Sequence, residues 1–124
     1  MMKWLGLITG GIAGTLARYT LAGLVYQICG TTFPYGTLVV NLVGCFLIGF
    51  LATLAEEKFL LGPHARLLLM TGFCGAFTTF STFMLETANL IKDGEMLRAF
   101  LNLSLSVVVG FLVFRLGVFL AEII

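Results

Sequence analysis

Charged side chains are scarce in this chain of 124 residues. Only 10% of the residues are Asp, Glu, Lys or Arg, and the net charge is +1, while hydrophobic residues make up 60%. A mean hydropathy of +1.10 excludes an ordinary soluble domain. The absence of any basic cluster argues against a nucleic-acid partner. Because the apolar runs reach the roughly 20 residues that a helix needs to cross a bilayer, the composition indicates an all-α membrane protein.

Cysteine and histidine are also few. Cys29, Cys45 and Cys74 lie far apart and form no Cys-x-x-Cys pair, and the single His64 has no metal-ligating neighbour in the sequence. We therefore expect neither a disulfide framework nor a metal site built from these side chains. No set of nucleophile, base and acid is present, so the chain is not expected to be an enzyme.

Long apolar runs predict four transmembrane helices in one domain that covers residues 1–124. Their approximate ranges are 4–29, 37–55, 67–91 and 97–121. Pro34 and Pro63 both fall in predicted loops, as expected of residues that interrupt helices. The first run is too long for the apolar core of a signal peptide, so we expect it to be retained as a span.

The third span contains the most unusual stretch of the chain, from Gly72 to Phe83. Glycines at 72 and 75 weaken a helix, and four hydroxyl side chains compete for backbone partners: Thr78, Thr79, Ser81 and Thr82. A helix that breaks at membrane depth indicates an ion or substrate site, because free backbone groups are tolerated there only beside protein or a water-filled cavity. The alternative is an unbroken helix with close packing and hydroxyls bonded to the preceding turn.

Phe77, Phe80 and Phe83 recur every three residues, which in a helix or tight turn puts them on one side. The edge of a phenyl ring is electropositive. Ring edges and hydroxyl donors together would therefore receive a small anion without a fixed positive charge that would trap it. The alternative is ordinary packing, since Phe is abundant in this chain, with 12 copies.

Arg18 and Asn41 are polar residues inside the first and second spans. Arg18 continues a ridge of small residues at 6, 10 and 14, over which another helix can approach closely. It is either a functional residue or a structural one that binds backbone carbonyls or reaches the membrane interface. Asn41 is either a hydrogen-bond clamp between helices or a donor to an anion path.

The third and fourth spans carry further polar positions. Glu86 follows Phe83 by about one turn and marks either a water-filled mouth or the polar end of a helix. Asn102, Ser106 and Gly110 repeat every four residues and form a stripe on one face of the fourth span. The alternative for this stripe is a packing notch with hydroxyls bonded to the preceding turn.

Four spans place both termini on one side of the membrane. That side receives four basic residues and the other two, with Arg18 ambiguous: Lys3, Lys58, Arg66 and Arg115 against Lys92 and Arg98. So small a difference permits insertion in both orientations. Two oppositely oriented copies would then pair about an axis in the membrane plane and provide enough helices to enclose a polar path.

Three motifs resemble the Fluc family of fluoride channels, also called CrcB fluoride exporters. They are Gly-Gly-Ile-Ala-Gly-Thr-Leu-Ala-Arg-Tyr at 10–19, Gly-Thr-Leu-Val-Val-Asn-Leu-Val-Gly at 36–44, and Gly-Phe-Cys-Gly-Ala-Phe-Thr-Thr-Phe-Ser-Thr-Phe at 72–83. The resemblance covers all four spans in order. It implies an antiparallel, dual-topology homodimer in the bacterial inner membrane, with the third helix broken mid-membrane and two pores through which fluoride leaves the cytoplasm passively.

The resemblance also implies roles for single residues. Phe80 and Phe83 would be the pore phenylalanines and Asn41 a donor to the ion. The main-chain carbonyls of Gly75 and Thr78 would hold a structural sodium ion (Na+) at the dimer interface. The other implied positions are Thr37, Ser81, Thr82 and Ser106 in the pore region, Glu86 at a vestibule, and Arg18 and Asn102 in structural or undecided roles.

Two other functions are open alternatives. A small dual-topology cation or drug exporter has a similar length and span count, but it needs a membrane-embedded carboxylate. The first span has Arg18 and no acid, which counts against this alternative. A noncatalytic subunit of a membrane assembly fits the composition but leaves the 72–83 motif unexplained.

Overall fold

A computed structural model describes all 124 residues and contains helices but no β-strand, which confirms the all-α prediction. The elements are α1 (Met2–Cys29), α2 (Tyr35–Glu56), α3 (Pro63–Arg66), a π-helix (Leu67–Cys74), α4 (Gly75–Phe77), α5 (Phe80–Lys92) and α6 (Met96–Glu122). Three helical stretches are long and apolar enough to cross a membrane: Tyr35–Glu56, Pro63–Lys92 and Met96–Glu122. The 28-residue α1 is less apolar, because Arg18 and several glycines and threonines interrupt its apolar run.

The loops between the long helices lie at opposite ends of the protomer. At one end, Lys58 Nζ donates a hydrogen bond of 3.0 Å to the carbonyl oxygen of Glu122, so the loop after α2 lies beside the C-terminus. At the other end, Arg98 Nη1 donates to the carbonyl oxygen of Thr32 over 3.3 Å, so the loop after α1 lies beside the start of α6. Successive long helices therefore run in alternating directions.

Glycines bring helix backbones together in two places. A Cβ on Gly10 or Gly14 of α1 would collide with a backbone carbonyl of the π-helix. A Cβ on Gly49 of α2 or Gly117 of α6 would collide with a backbone carbonyl of the partner helix in the same way. Helices approach this closely only over small residues. The predicted ridge on α1 is thus a packing surface against the third span.

The protomer buries little of its own surface. Only 23 of the 124 residues are buried, and many large apolar side chains of α1 and α6 are exposed, including Ile12 and Phe111. A soluble monomer rarely exposes continuous apolar surface on this scale. The outer surface is therefore suited to lipid or to another membrane protein.

The third span begins earlier than the sequence indicated. Pro63 and His64 were predicted to lie in a loop, but Pro63 opens α3, and α3 continues directly into the π-helix. Proline is compatible with the first turn of a helix because its missing N–H would have no partner there. The loop prediction was therefore wrong for these two residues.

The glycines of the third span do not break it. Gly72 lies within the π-helix, and Gly75 opens the short α4. The missing side chain of Gly72 instead allows close packing, since a Cβ there would lie 3.2 Å from the Cα of Gly10. The interruption comes later in the span, at Thr78 and Thr79.

Candidate functional site

Two residues of extended backbone separate α4 from α5. Thr78 has φ −84° and ψ 157°, and Thr79 has φ −147° and ψ 119°. Such β-region torsions end the ladder of helical hydrogen bonds. Thr79 then caps the new helix, because its Oγ1 accepts a hydrogen bond from the backbone N–H of Thr82 at 3.3 Å. The local sequence thus provides the cap with which α5 begins.

The side chain of Asn41 in α2 binds the backbone carbonyl and the backbone N–H of Thr79. Its Nδ2 donates to the Thr79 carbonyl oxygen at 2.9 Å, and its Oδ1 accepts from the Thr79 N–H at 2.8 Å. In a continuous helix that N–H would bond to the carbonyl of Gly75. Asn41 therefore acts as a clamp between helices and compensates the break. One N–H of its amide is not used in the clamp.

Arg18 satisfies a second carbonyl that the break leaves free. Its Nε donates to the carbonyl oxygen of Ala76 at 3.1 Å. In a continuous helix the N–H of Phe80 would serve this carbonyl, but the extended residues move that donor away. Of the two interpretations of Arg18, the contact with Ala76 supports the structural one.

A cavity of about 270 Å³, the phenylalanine cavity, lies beside the break and beside the pair Phe80 and Phe83. Its lining residues come from α2, the third span and α6: Asn41, Cys45, Thr78, Thr79, Phe80, Phe83, Ser106 and Val107. Four residues predicted for the pore, Asn41, Phe80, Phe83 and Ser106, thus meet around one space. The lining carries no charged side chain, and its polar groups are amide, hydroxyl, thiol and main-chain groups.

The rings of Phe80 and Phe83 meet edge to face, with centroids 5.9 Å apart and an interplanar angle of 68°. Phe83 is buried, with 6% of its surface exposed, whereas Phe80 is 73% exposed on the protomer. Phe77 does not join them, because the extended residues intervene; it is buried and stacks on Phe73 instead. The prediction of three phenylalanines on one side was wrong for Phe77.

Glu86 accepts hydrogen bonds from two hydroxyl groups on other helices. Tyr26 Oη donates to Glu86 Oε2 at 2.9 Å, and Thr37 Oγ1 donates to Glu86 Oε1. The carboxyl group also borders two spaces. One, of about 450 Å³, is lined by residues that include Arg18, Thr37 and Thr82, and the other, of about 350 Å³, opens between the loop after α1 and the end of α5. Glu86 thus lies where two cavities meet.

The sequence of this chain matches a family model described as CrcB-like protein, Camphor Resistance (CrcB), over residues 5–118. A relative from Solidesulfovibrio magneticus is 47% identical over 125 residues, covering all of both chains. One from Chlorobaculum tepidum is 52% identical, covering 92% of this chain and 90% of its own. One from Chlorobium phaeobacteroides is 50% identical, covering 92% and 88%. All three are named fluoride-specific ion channel FluC.

The chain belongs to the CrcB family. The resemblance that its three motifs carry is thereby confirmed. Three of its helices are long and apolar enough to cross a membrane, and a relative that matches the whole chain is named an ion channel. The chain is therefore a multi-pass protein of the bacterial cell membrane. The names of these relatives describe ion channels, which are a non-enzymatic class of protein.

The other predicted site residues of this CrcB chain are distributed around the phenylalanine cavity. Thr37, Thr82 and Glu86 line the space of about 450 Å³, and Thr79 borders both this space and the phenylalanine cavity. Ser81 is exposed on α5 and lines neither of these two cavities. Asn102 is buried and donates to Thr87 Oγ1 at 2.9 Å. Asn102 therefore links α6 to α5, and the structure gives it a structural role.

No group of three or more His, Cys, Asp or Glu side chains in the CrcB chain is arranged to hold a metal ion. The three cysteines are free. The oxygens available to a cation at the break belong to main-chain, hydroxyl and amide groups. The Gly75 carbonyl is one candidate, because Asn41 takes the N–H that would otherwise bond to it.

Sequence reasoning missed three residues at or near the site. Tyr26 was not assigned to Glu86, although it continues the four-residue repeat of Gly10, Gly14 and Arg18 along α1 and so lies on the same face. Thr87 was also missed; it bonds to the carbonyl of Phe83 at 2.8 Å and accepts from Asn102. Cys45 was treated only as a small apolar residue, yet it lines the phenylalanine cavity.

Proposed function

We propose that this chain is a fluoride-selective channel through which fluoride leaves the cytoplasm down its electrochemical gradient. Relatives that match 92–100% of the chain are named fluoride-specific ion channels. The observation that carries the proposal is the uncharged cavity in which Asn41, Ser106 and the Phe80–Phe83 pair meet. Export benefits a cell because HF formed in acid surroundings crosses membranes, dissociates inside and leaves fluoride trapped as the anion.

The cavity supports selectivity through weak and repeated contacts. A small anion that enters must lose water and find donors, and the candidates are the second N–H of Asn41, the hydroxyl of Ser106 and the positive edges of the phenyl rings. None of these groups carries a full positive charge, so none would hold the anion long enough to block conduction. Efflux of fluoride from proteoliposomes, compared with efflux of chloride, tests this function.

We further propose that the channel is an antiparallel dimer with two pores and that all four long helices cross the membrane. The exposed apolar surface and the 73% exposure of Phe80 in the protomer support a partner that covers them. The end that carries Lys58 and the C-terminus and the end that carries Thr32 and Arg98 differ little in basic residues. This balance supports insertion of copies in both orientations.

A structural sodium ion between the two copies is the third part of the proposal. The Gly75 carbonyl loses its helical donor to Asn41, and Gly75 is exposed on the protomer, so its oxygen fits a site shared with a second copy. The Thr78 carbonyl lies on extended backbone just before Thr79. Neutral oxygens suit a small hard cation of single charge, whereas Ca²⁺ usually recruits carboxylates. Bound there, sodium would neutralise the converging carbonyl dipoles at the break.

The exporter alternative is not favoured. Glu86 is the only acidic side chain inside a helix and away from helix ends, since Glu56 and Glu122 end their helices. Its two carboxyl oxygens are bound to the hydroxyls of Tyr26 and Thr37. A proton-coupled exporter needs an embedded carboxylate that exchanges protons and substrate, and this one is occupied.

A further inference from the structure

Ser106 differs from the other buried hydroxyls of the helices. Thr53 and Thr87 each donate to the carbonyl one turn earlier in their own helix, at 3.0 and 2.8 Å. The buried Oγ of Ser106 makes no such bond and has no other hydrogen-bond partner. A buried hydroxyl without a partner is costly, so a group that occupies the adjacent space from time to time is expected to serve it.

Two spaces adjoin Ser106, and together they form a track along the seam between α2 and α6. The first is the phenylalanine cavity of about 270 Å³. The second, of about 450 Å³, continues along α6, and its lining is Cys45, Ser106, Val107, Gly110, Phe111 and Phe114. Both spaces share Cys45, Ser106 and Val107. A particle that moves past Ser106 from one space to the other therefore also passes Cys45.

Cys45 provides the second polar atom of the continuing space. It follows Asn41 by one turn of α2, and its Sγ lies 3.5 Å from the point where a Cβ on Gly110 would stand. Gly110 itself has no side chain, and the other lining residues apart from Ser106 are apolar. The thiol of Cys45 therefore lies opposite Gly110, the last position of the polar stripe on α6.

We propose that Cys45 is a fluoride-contacting residue and that its S–H, together with the O–H of Ser106, carries the ion from the phenylalanine pair toward Gly110. This proposal rests on the proposed channel function. A thiol is a weak donor, so it can receive a dehydrated anion and release it again. Gly110 keeps the space beside the sulfur open.

The test uses single-cysteine channels in proteoliposomes, after fluoride efflux by the parent chain has been measured. One variant keeps only Cys45 (Cys29→Ser, Cys74→Ala) and the matched control keeps only Cys74 (Cys29→Ser, Cys45→Ala). Cys74 is buried and lines neither space. Methyl methanethiosulfonate is the probe: the cysteine thiolate attacks its sulfenyl sulfur, a methyl disulfide forms and methanesulfinate leaves.

We expect mass spectrometry to show that Cys45 is modified, more slowly in fluoride than in chloride, and that modification lowers fluoride efflux at least about tenfold. The rate at Cys74 should not respond to fluoride. An unmodified Cys45, a modified Cys45 with unchanged efflux, or equal rates in the two anions would each overturn the proposal. Absence of fluoride efflux from the parent chain would instead refute the channel function.

A pair of substitutions separates a donor role from packing. Cys45→Ser keeps a donor, and Cys45→Ala removes it without adding bulk to the space. We expect fluoride efflux through the alanine variant to be about three- to tenfold below that through the serine variant, since one hydrogen bond is lost. Equal efflux through two folded variants would overturn a role for the S–H.

Discussion

The side chain of Asn41 and the peptide groups of Thr79, from separate helices, are joined by two hydrogen bonds of 2.8 and 2.9 Å. This pair accounts for the interruption of the third span, because it replaces helical partners that Thr79 would otherwise have. It also places one end of the Asn41 amide at the phenylalanine cavity. The break and the candidate pore therefore depend on the same residue.

Replacing Asn41 with alanine should destabilise the protein. The change leaves an N–H and a carbonyl of Thr79 without partners in an apolar setting, so we expect a loss of about 2–4 kcal/mol in unfolding free energy, measured in detergent. Asn89→Ala is the matched control, since Asn89 is exposed and makes no side-chain hydrogen bond; it should change stability by less than about 0.5 kcal/mol. Equal stability of the two variants would contradict the clamp.

Substitutions of Phe80 and Phe83 should distinguish effects on fluoride conduction from effects on protein stability. Phe80 packs little within the protomer, so Phe80→Ile should lower fluoride efflux about tenfold or more while the protomer keeps its helical fold, as measured by circular dichroism. Phe83 is buried, so Phe83→Ile should also lower the unfolding free energy, by about 1 kcal/mol. The double variant should conduct no measurable fluoride.

The control for this pair is Phe100→Ile, an exposed ring of α6 that does not line the phenylalanine cavity. It should leave fluoride efflux within about twofold of the parent, as expected for a substitution outside the ion path. Parent-like efflux through a folded Phe80→Ile, Phe83→Ile variant would remove the pore assignment.

The sequence predicted the helical class and the packing ridge, and it left open whether the third span breaks within residues 72–83 or continues as one helix. Hydrophobic runs and small-residue spacing are local signals, and Gly10 and Gly14 follow them directly. Local signals do not predict contacts between residues that are distant in the sequence. Asn41 and Thr79 are 38 positions apart, and Arg18 and Ala76 are 58 apart. The glycines at 72 and 75 were assigned to the break because helix propensity describes an isolated helix, whereas Gly72 is needed here for packing against α1.

Sodium exchange tests the proposed ion at the break. After the sodium on both sides of the membrane is replaced by N-methyl-D-glucamine, we expect lower fluoride efflux and partial dissociation of the dimer in detergent. The physical reason is that the Gly75 and Thr78 carbonyls would lose the cation that pairs their dipoles, and unpaired carbonyls are costly inside a membrane protein. Readdition of sodium should restore both properties. Unchanged efflux and dimer content would argue against the site.

Orientation in the membrane tests the antiparallel dimer. Because the two ends carry similar numbers of basic residues, a tag on the C-terminus should be reached from both sides of the membrane. Lysines added to the loop at 57–62 should force one orientation and abolish efflux. Coexpression with a copy that carries lysines in the loop at 93–95 should restore it. A parent chain with one orientation only would exclude the dual-topology dimer.

The most direct measurement of the central claim is anion efflux from proteoliposomes that contain the purified chain, recorded with fluoride and chloride electrodes under the same driving force. We predict rapid and passive fluoride efflux, no chloride efflux above that of protein-free liposomes, and no dependence of fluoride efflux on a proton gradient. Equal efflux of the two anions, or fluoride efflux that requires a proton gradient, would contradict a fluoride-selective channel.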